Sequence, residues 1–308
     1  MSLIGAGPLL LVLSLVERCT IHRSYAKATL WSLITYFQGD FLHLIRNYTH
    51  SNTFGICEYC LDPNKADSKT FILTIDDSPG DDPELVHKVL DILKKYKAKA
   101  TFFVTSDFVV DTDDGCKALM QRILAEGHEL GNHCPKDIFY NRLSTSIFER
   151  ELLLAEQVIE EVKTAAKSDK PPEPPGAPDD TKPVKLFRPP RGLISPAMVT
   201  ALKKHRYQSI LGSSFSNDPF VGGDLPPSET RTSQYNFAVD YHCEYNCKRI
   251  LQKALRGQGG EIVIFHVPNK NNRRQTIFAL DQLLYRLGNV GIRAVTVNQG
   301  YSDIKTKK

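Results

Sequence analysis

The chain has 308 residues, of which 41% are hydrophobic and 24% are charged, so it is long enough and apolar enough to fold around a substantial core. Its formal net charge is +4, because 39 basic residues are nearly balanced by 35 acidic ones. The basic residues are spread along the chain and form no stripe, which argues against nucleic-acid binding.

Residues 1–68 are predicted to form a leader that is separate from the rest of the chain. It contains an uncharged run, LIGAGPLLLVLSLV at 3–16, which has the length of a signal-peptide core and is shorter than the roughly 20 residues of a membrane span. We therefore expect a protein that is secreted, or attached to a membrane through this segment. Helical apolar spacing follows between residues 28 and 45. Asn47 begins a glycosylation sequon, which predicts a glycoprotein.

Four of the seven cysteines form two close pairs, Cys57 with Cys60 and Cys243 with Cys247. In a secreted chain such pairs predict structural disulfides, although the sequence does not fix their connectivity. A zinc site built from four thiolates is an alternative, and so is a redox role for the first pair.

Strands and helices are predicted to alternate from residue 69 to residue 302. The predicted strands are 71–75, 100–104, 128–131, 184–187, 207–211, 261–265 and 293–297, and the predicted helices are 84–95, 119–126, 147–162, 196–205, 246–256 and 277–287. This alternation favours an α/β fold with a parallel sheet, and its length suits a closed barrel.

Two segments interrupt or follow this pattern. The insertion at 168–183 is rich in proline, with six prolines between Lys170 and Pro183, so it is predicted to be an extended and exposed spacer. The tail at 303–308 is basic and is predicted to be solvated.

Polar residues are predicted to follow the first strand, at the edge where parallel barrels carry their chemistry. Asp76 and Asp77 are adjacent carboxylates, which resist carrying charge together unless something compensates them. A divalent cation would do so, with one carboxylate as ligand and the other as a base. The alternative is an aspartate-rich turn that caps the next helix.

Later strands are predicted to end in similar residues. His133 and Asp137 are four residues apart, so both side chains can point the same way and bind zinc or another first-row metal. Arg188 precedes two prolines that would hold its guanidinium in place to bind a carboxylate, although a rigid turn with a solvated arginine is the alternative. His128 falls inside a predicted strand and is interpreted as structural.

Two further residues complete the set. His266 follows the strand at 261–265 and has the chemistry of a general acid near neutral pH. Asp218 either orients a histidine or is a turn residue before Pro219, and the sequence does not decide between them.

Together these motifs resemble those of the polysaccharide deacetylase family, also called the NodB-homology domain or carbohydrate esterase family four. The matching segments are TIDDSPG at 74–80, GHELGNH at 127–133, FRPPRG at 187–192 and IFH at 264–266. The resemblance implies a distorted (β/α) barrel of about seven parallel strands. It also implies an enzyme that removes N-acetyl groups from an amino-sugar glycan such as chitin.

The resemblance implies a catalytic role for four residues. Asp76 would be the base and Arg188 would hold it, while His266 would be the general acid and Asp218 would assist.

It further implies binding roles for five others. Asp77, His133 and Asp137 would bind a divalent metal, which we expect to be zinc, with cobalt as the alternative. Pro190 and Arg191 would contact the substrate, and the backbone amide near Arg191 would help to stabilise the oxyanion.

The sequence departs from the family at several motif positions. Asp137 stands where the family usually has histidine, Arg191 where tyrosine is common, and Ser78 where glycine is usual. The aspartate–tryptophan signature is missing around Asp218, since the chain's one tryptophan is Trp31. Two alternatives therefore stay open: an amidohydrolase of small cyclic amides, and a non-catalytic glycan-binding or structural protein on the same barrel.

Overall fold

The structure is a computed structural model that describes residues 69–110, 114–167, 185–212, 214–216, 244, 246–252, 254–255, 260–268 and 275–300. The predictions for the leader, for Cys57, Cys60 and Cys243, for the proline-rich insertion and for the basic tail lie outside these residues. Secretion, membrane attachment and the domain boundaries therefore stay predictions of the sequence. Among the described residues, no helix combines the length and apolar character that a membrane crossing requires.

The described part of the chain alternates strands and helices, as predicted. Its strands are β1 (Thr70–Ser78), β2 (Thr101–Val104), β3 (Glu129–Asn132), β4 (Lys185–Phe187), β5 (Tyr207–Ser209), β6 (Ser214–Phe215), β7 (Ile262–His266) and β8 (Arg293–Val295). Its helices are α1 (Pro83–Lys95), α2 (Asp107–Val110), α3 (Asp114–Ala125), α4 (Thr145–Lys167), α5 (Pro196–Lys204) and α6 (Gln275–Gly288). Helical backbone is also present at 246–252, and a 3₁₀ turn at Pro190–Gly192.

The strands form one parallel sheet with the order β5-β4-β3-β2-β1-β7-β6, and β8 also pairs with β1. This curled sheet with its helices confirms the predicted distorted (β/α) barrel. Eight strands are described instead of about seven, because β6 has two residues and such a segment shows no period-2 pattern.

Strand β1 is longer than predicted, which changes where the acidic pair lies. It continues past residue 75 because Asp76 pairs with His266 of β7 and Ser78 pairs with Val104 of β2. Asp76 and Asp77 therefore lie within the last three residues of β1 and not after it. His266 is likewise the last residue of β7.

The sheet has one face against the helices and one face toward the barrel interior. Phe71, Leu73 and Ile75 of β1 belong to a large core cluster that includes residues of α1 and α6. Ile72 points the other way, into a smaller cluster with five residues from other strands and the segments that follow them: Phe103, Leu186, Ile210, Ile262 and Val297. Because side chains alternate along a strand, Thr74 and Asp76 lie above this apolar floor, on the same face as Ile72.

A glycine allows a close approach inside the barrel. A Cβ atom on Gly131 of β3 would lie 2.6 Å from ring atom Cε1 of Phe103 and 3.3 Å from Cβ of Leu186. The floor is therefore packed closely at the point where β2, β3 and β4 meet, directly beneath the polar residues.

Candidate metal centre

Asp77, His133 and Asp137 come together at the carboxyl ends of β1 and β3. One potential ligand atom from each residue lies within 4.8 Å of the corresponding atoms of the other two. Asp77 and His133 are buried, and Asp137 is partly exposed. One imidazole nitrogen with two carboxylate oxygens is a donor set that suits zinc, cobalt and related divalent metals, so the residues present fit a metal of this class.

A hydrogen bond fixes which nitrogen of His133 could bind a metal. His133 Nδ1 lies 2.8 Å from the backbone oxygen of Arg188. A carbonyl oxygen can only accept, so Nδ1 donates and carries the proton, which leaves the lone pair of Nε2 for a ligand. Nε2 is 3.6 Å from Asp77 Oδ1, so it faces the other candidate ligands. Metal-binding histidines commonly use such a bond on the opposite ring nitrogen to set their orientation.

Asp76 is held by Arg188 in a buried ion pair. Arg188 Nη1 donates to Asp76 Oδ1 and to Thr74 Oγ1, at 2.7 Å each, and Nε donates to the backbone oxygen of Ile210 at 3.1 Å. The guanidinium also lies over the Phe103 ring, 4.3 Å from its centroid. Burial lowers the pKa of Arg188 and Asp76 opposes that shift, so the carboxylate is charge-compensated inside the barrel.

Arg191 contacts Asp137, although about half of its side chain (51%) stays exposed to solvent. Its Nε is 3.0 Å from Asp137 Oδ2 and its backbone N–H donates to Asp137 Oδ1 at 3.3 Å. Its Nε and Nη2 also donate to the backbone oxygen of Asp137, at 3.1 and 2.9 Å. The family resemblance implies that Arg191 contacts the substrate and that its amide stabilises the oxyanion. The pairing with Asp137 could not be predicted, because the two residues are 54 positions apart.

Three residues near the site have a left-handed backbone that side chains rarely adopt. Asp77 has φ 63°, Cys134 has φ 63° and Arg191 has φ 59°. Asp77 and Arg191 belong to the site, and Cys134 directly follows His133. Such conformations persist where the surrounding structure holds them.

Asn132, which was not among the predicted site residues, holds the loop that contains Cys134. Its Oδ1 accepts from the Cys134 amide at 2.8 Å, and its Nδ2 donates to the backbone oxygen of Leu152 at 3.0 Å. An asparagine at a strand end is too common a turn residue for its sequence to have shown this role.

The remaining predicted residues are placed as follows. His266 is opposite Asp76 in the β1–β7 register, so the two residues lie side by side on neighbouring strands. Pro190 is buried in the 3₁₀ turn that presents Arg191. Asp218 lies outside the described residues.

His128, interpreted as structural, has the contacts of a structural histidine. Its Nδ1 accepts from the Ala100 amide at 3.2 Å, and its ring meets Phe102 edge-on with centroids 5.6 Å apart. Burial, followed by the charges of Lys99 and Arg122, lowers its pKa to about 4, so the ring is neutral at physiological pH.

A cavity of about 400 Å³ opens beside the candidate ligands, with Asp77, Thr105, Asp137, Arg191 and Val267 among its lining residues. This volume is in the range of small-molecule binding sites. The loops that carry Asp137 and Arg191 also expose apolar side chains: Ile138 (49% exposed), Phe139 (58%) and Leu193 (46%).

The sequence profile described as polysaccharide deacetylase matches residues 63–177. A peptidoglycan-N-acetylglucosamine deacetylase of Bacillus cereus is 31% identical over 231 residues, which are 75% of this chain and 87% of the relative.

Two solved structures are similar in fold. A family 4 acetyl xylan esterase from Clostridium thermocellum in complex with a cobalt ion has a TM-score of 0.52 at 25% identity, and the match covers 76% of this chain and 91% of the esterase. A CE4 family pseudoenzyme from Bacillus anthracis has a TM-score of 0.53 at 23% identity, with 78% of this chain and 67% of the other covered. The second likeness is one of fold alone.

Proposed function

Since the chain belongs to the polysaccharide deacetylase family, we propose that it is a metal-dependent hydrolase that removes N-acetyl groups from N-acetylglucosamine units of a glycan. The observation that carries this proposal is the cluster of Asp77, His133 and Asp137 within 4.8 Å, directly beside the buried Asp76–Arg188 pair. The substrate unit is taken from the Bacillus cereus relative, which is named for N-acetylglucosamine in peptidoglycan.

The metal is proposed to be zinc, or cobalt as an alternative. When bound, a divalent cation supplies Lewis-acid chemistry, since it polarises a carbonyl oxygen and makes water easier to deprotonate. Asp77 Oδ1 and His133 Nε2 already face each other at 3.6 Å, and the Nδ1 proton of His133 is fixed by the Arg188 carbonyl. These contacts support a ligand set that is oriented before any metal arrives.

Asp76 is the proposed base. Hydrolysis adds water across the amide: a hydroxyl group goes to the carbonyl carbon, the C–N bond breaks, and acetate and a free amine leave. Asp76 would accept the proton that water loses, and the buried pair with Arg188 would hold the carboxylate in one orientation.

His266 is the proposed acid, which gives a proton to the departing nitrogen. Its place beside Asp76 in the β1–β7 register puts an acid and a base on neighbouring strand ends. The assistance proposed for Asp218 would act on this histidine.

The Arg191 amide is proposed to stabilise the oxyanion only after it leaves Asp137. In the structure this N–H donates to Asp137 Oδ1 at 3.3 Å, so it is already in use. Binding of metal through Asp137 Oδ1 would release the amide, while the contact of Arg191 Nε with Oδ2 would remain.

Phe139 is proposed to support the sugar ring. The aromatic signature expected near Asp218 is absent from the sequence, whereas Phe139 is 58% exposed and two residues from Asp137. An exposed aromatic face beside a polar cavity suits an amphipathic ligand such as a sugar.

Acetate release tests the proposal. The full chain would be treated with a chelator and assayed on chitin oligomers and on peptidoglycan, with and without added Zn²⁺ or Co²⁺. We expect acetate from at least one glycan and restoration of the activity by metal. Comparison of the two glycans identifies the polymer.

Other outcomes would favour the alternatives. Glycan binding without acetate release at any metal concentration would support the non-catalytic protein. Turnover of a small cyclic amide by metal-free protein would support the amidohydrolase.

A further inference from the structure

We propose that Arg191 is a positioning residue that fixes the carboxylate of Asp137 as a metal ligand. This inference rests on the proposed metal-dependent function and adds to it a residue that the metal does not touch. It also explains how an acidic group can serve as the third ligand in a site that already holds two other carboxylates, Asp76 and Asp77.

The contacts of Asp137 support this role. In the part of the chain that the structure describes, the Asp137 carboxylate has one ion pair and one hydrogen bond, and both come from Arg191: Nε at 3.0 Å from Oδ2, and the backbone amide at 3.3 Å from Oδ1. The guanidinium also binds the Asp137 backbone oxygen, so both the main chain and the side chain are restrained. The Asp137 side chain is 32% exposed, and without these bonds it could adopt other rotamers.

Arg191 is itself held in place. Pro189 and Pro190 precede it and fix their own φ angles, Arg191 has φ 59°, and Gly192 follows with φ 69°. Its guanidinium lies over the Phe139 ring, 5.8 Å from the centroid. The backbone from which the Arg191 side chain extends is therefore constrained, which limits where its guanidinium can lie.

The charges make the prediction distinctive. Asp76, Asp77 and Asp137 carry three negative charges, and Arg188 and Arg191 carry two positive charges, so these five side chains have a net charge of −1. Without Arg191 the net charge would be −2. Coulomb attraction alone would then tighten metal binding, whereas loss of positioning would weaken it. The sign of the change therefore separates the two effects.

The test measures metal affinity and not turnover. Metal-free native chain, Arg191→Gln and Arg191→Lys would be titrated with Zn²⁺ and with Co²⁺ against a competing chelator. We expect roughly tenfold weaker binding by Arg191→Gln, the lower end of the range for residues that orient a ligand. The metal affinity of Arg191→Lys should lie between those of the native chain and Arg191→Gln, because lysine keeps the charge but lacks the planar fork of donors. Arg150→Gln is the matched control, since Arg150 is an exposed arginine paired with Glu151 on α4.

A double-mutant cycle checks the mechanism. In Asp137→His the ligand is neutral, so Arg191→Gln added to it should change the affinity less than threefold. Equal or tighter binding by Arg191→Gln, or the same loss in both backgrounds, would overturn the inference and leave the proposed function standing. If the native chain bound neither metal, both would fall. Thermal unfolding of each metal-free variant shows whether it is folded.

Discussion

Asp76 and Asp77 are neighbours in sequence but have different partners. In a regular strand consecutive side chains point to opposite faces. Here the β1–β2 register shifts between Ile75 and Ser78, and Asp77 has φ 63°. Such an irregularity re-aims a side chain. As a result Asp76 contacts Arg188 while Asp77 lies 3.6 Å from His133, so one strand end supplies both a candidate base and a candidate ligand.

This difference predicts separate effects of removing each charge. Asp76→Asn should lower the rate of acetate release by roughly 100- to 10,000-fold, the usual contribution of a general base, while bound metal stays stoichiometric. Asp77→Asn should lose the metal and, with it, the activity. Elemental analysis of the two purified variants, together with acetate assays, checks this. Equal metal content in both variants would contradict the division of roles.

The exposed ring of Phe139 predicts an effect on substrate binding. Phe139→Ala should raise KM for a chitin oligomer or peptidoglycan fragment by about fivefold with little change in kcat, which corresponds to roughly 1 kcal/mol of lost apolar contact. Leu154→Ala is the control, because Leu154 is 50% exposed on α4. An unchanged KM in Phe139→Ala would remove Phe139 from the binding surface.

At the level of elements, strand β3 joins the apolar floor to the polar layer above it. Gly131 allows β3 to lie against Phe103, and the Phe103 ring lies under the Arg188 guanidinium at 4.3 Å. The position of Arg188 therefore depends on the packing between β2 and β3 as well as on its own strand.

Gly131→Ala should thus affect both stability and activity. Its Cβ would lie 2.6 Å from the Phe103 ring, and overpacking of this kind destabilises by roughly 1–3 kcal/mol. Gly288→Ala is the matched control, because nothing lies within 4 Å of its Cβ and alanine favours helix by up to about 1 kcal/mol. Urea unfolding compares the two. Equal stability of both variants would show that the barrel floor tolerates the methyl group.

The elements were predictable where a periodic pattern marked them. The apolar run at 71–75 and the helical spacing at 147–162 indicated β1 and α4, and the order of motifs indicated the barrel. The two-residue strand β6 had no such pattern. The ends of β1 and β7 were predicted too early because pairing with neighbouring strands, which a single sequence does not show, extends β1 to Ser78 and β7 to His266.

The same limit applies to the site. His133 and Asp137 could be paired from their spacing. The contact between Asp137 and Arg191 could not, since it depends on two loops 54 residues apart and on a left-handed turn that favours glycine over arginine.

For the molecule as a whole, buried His128 predicts loss of stability in acid. Its pKa is about 4 in the folded chain and near 6.5 in the unfolded chain. Above pH 6.5 the ring is therefore neutral in both states, and its titration does not change the free energy of unfolding. Between pH 6.5 and 4 only the unfolded chain binds the proton, which favours unfolding by up to roughly 1.4 kcal/mol per pH unit. Below about pH 4 the loss levels off.

Urea unfolding at pH 7 and pH 5 measures this effect. The native chain should lose about 2 kcal/mol more between the two pH values than His128→Gln does, because glutamine keeps an acceptor for the Ala100 amide but does not titrate. The same pH dependence in both proteins would assign the acid sensitivity to other groups.

The central position of β1 has a consequence for how the protein is made. This strand leaves the ribosome first among the described strands, yet two of its three partners, β7 and β8, are synthesised last. The bond from Thr74 Oγ1 to the Val263 backbone oxygen spans 189 residues. During translation the edge of β1 that pairs with β7 and β8 therefore stays unpaired until most of the chain has been made. An unpaired apolar strand is prone to aggregation unless a chaperone covers it. Asp76 and His266 can therefore pair only after about 190 further residues have been made.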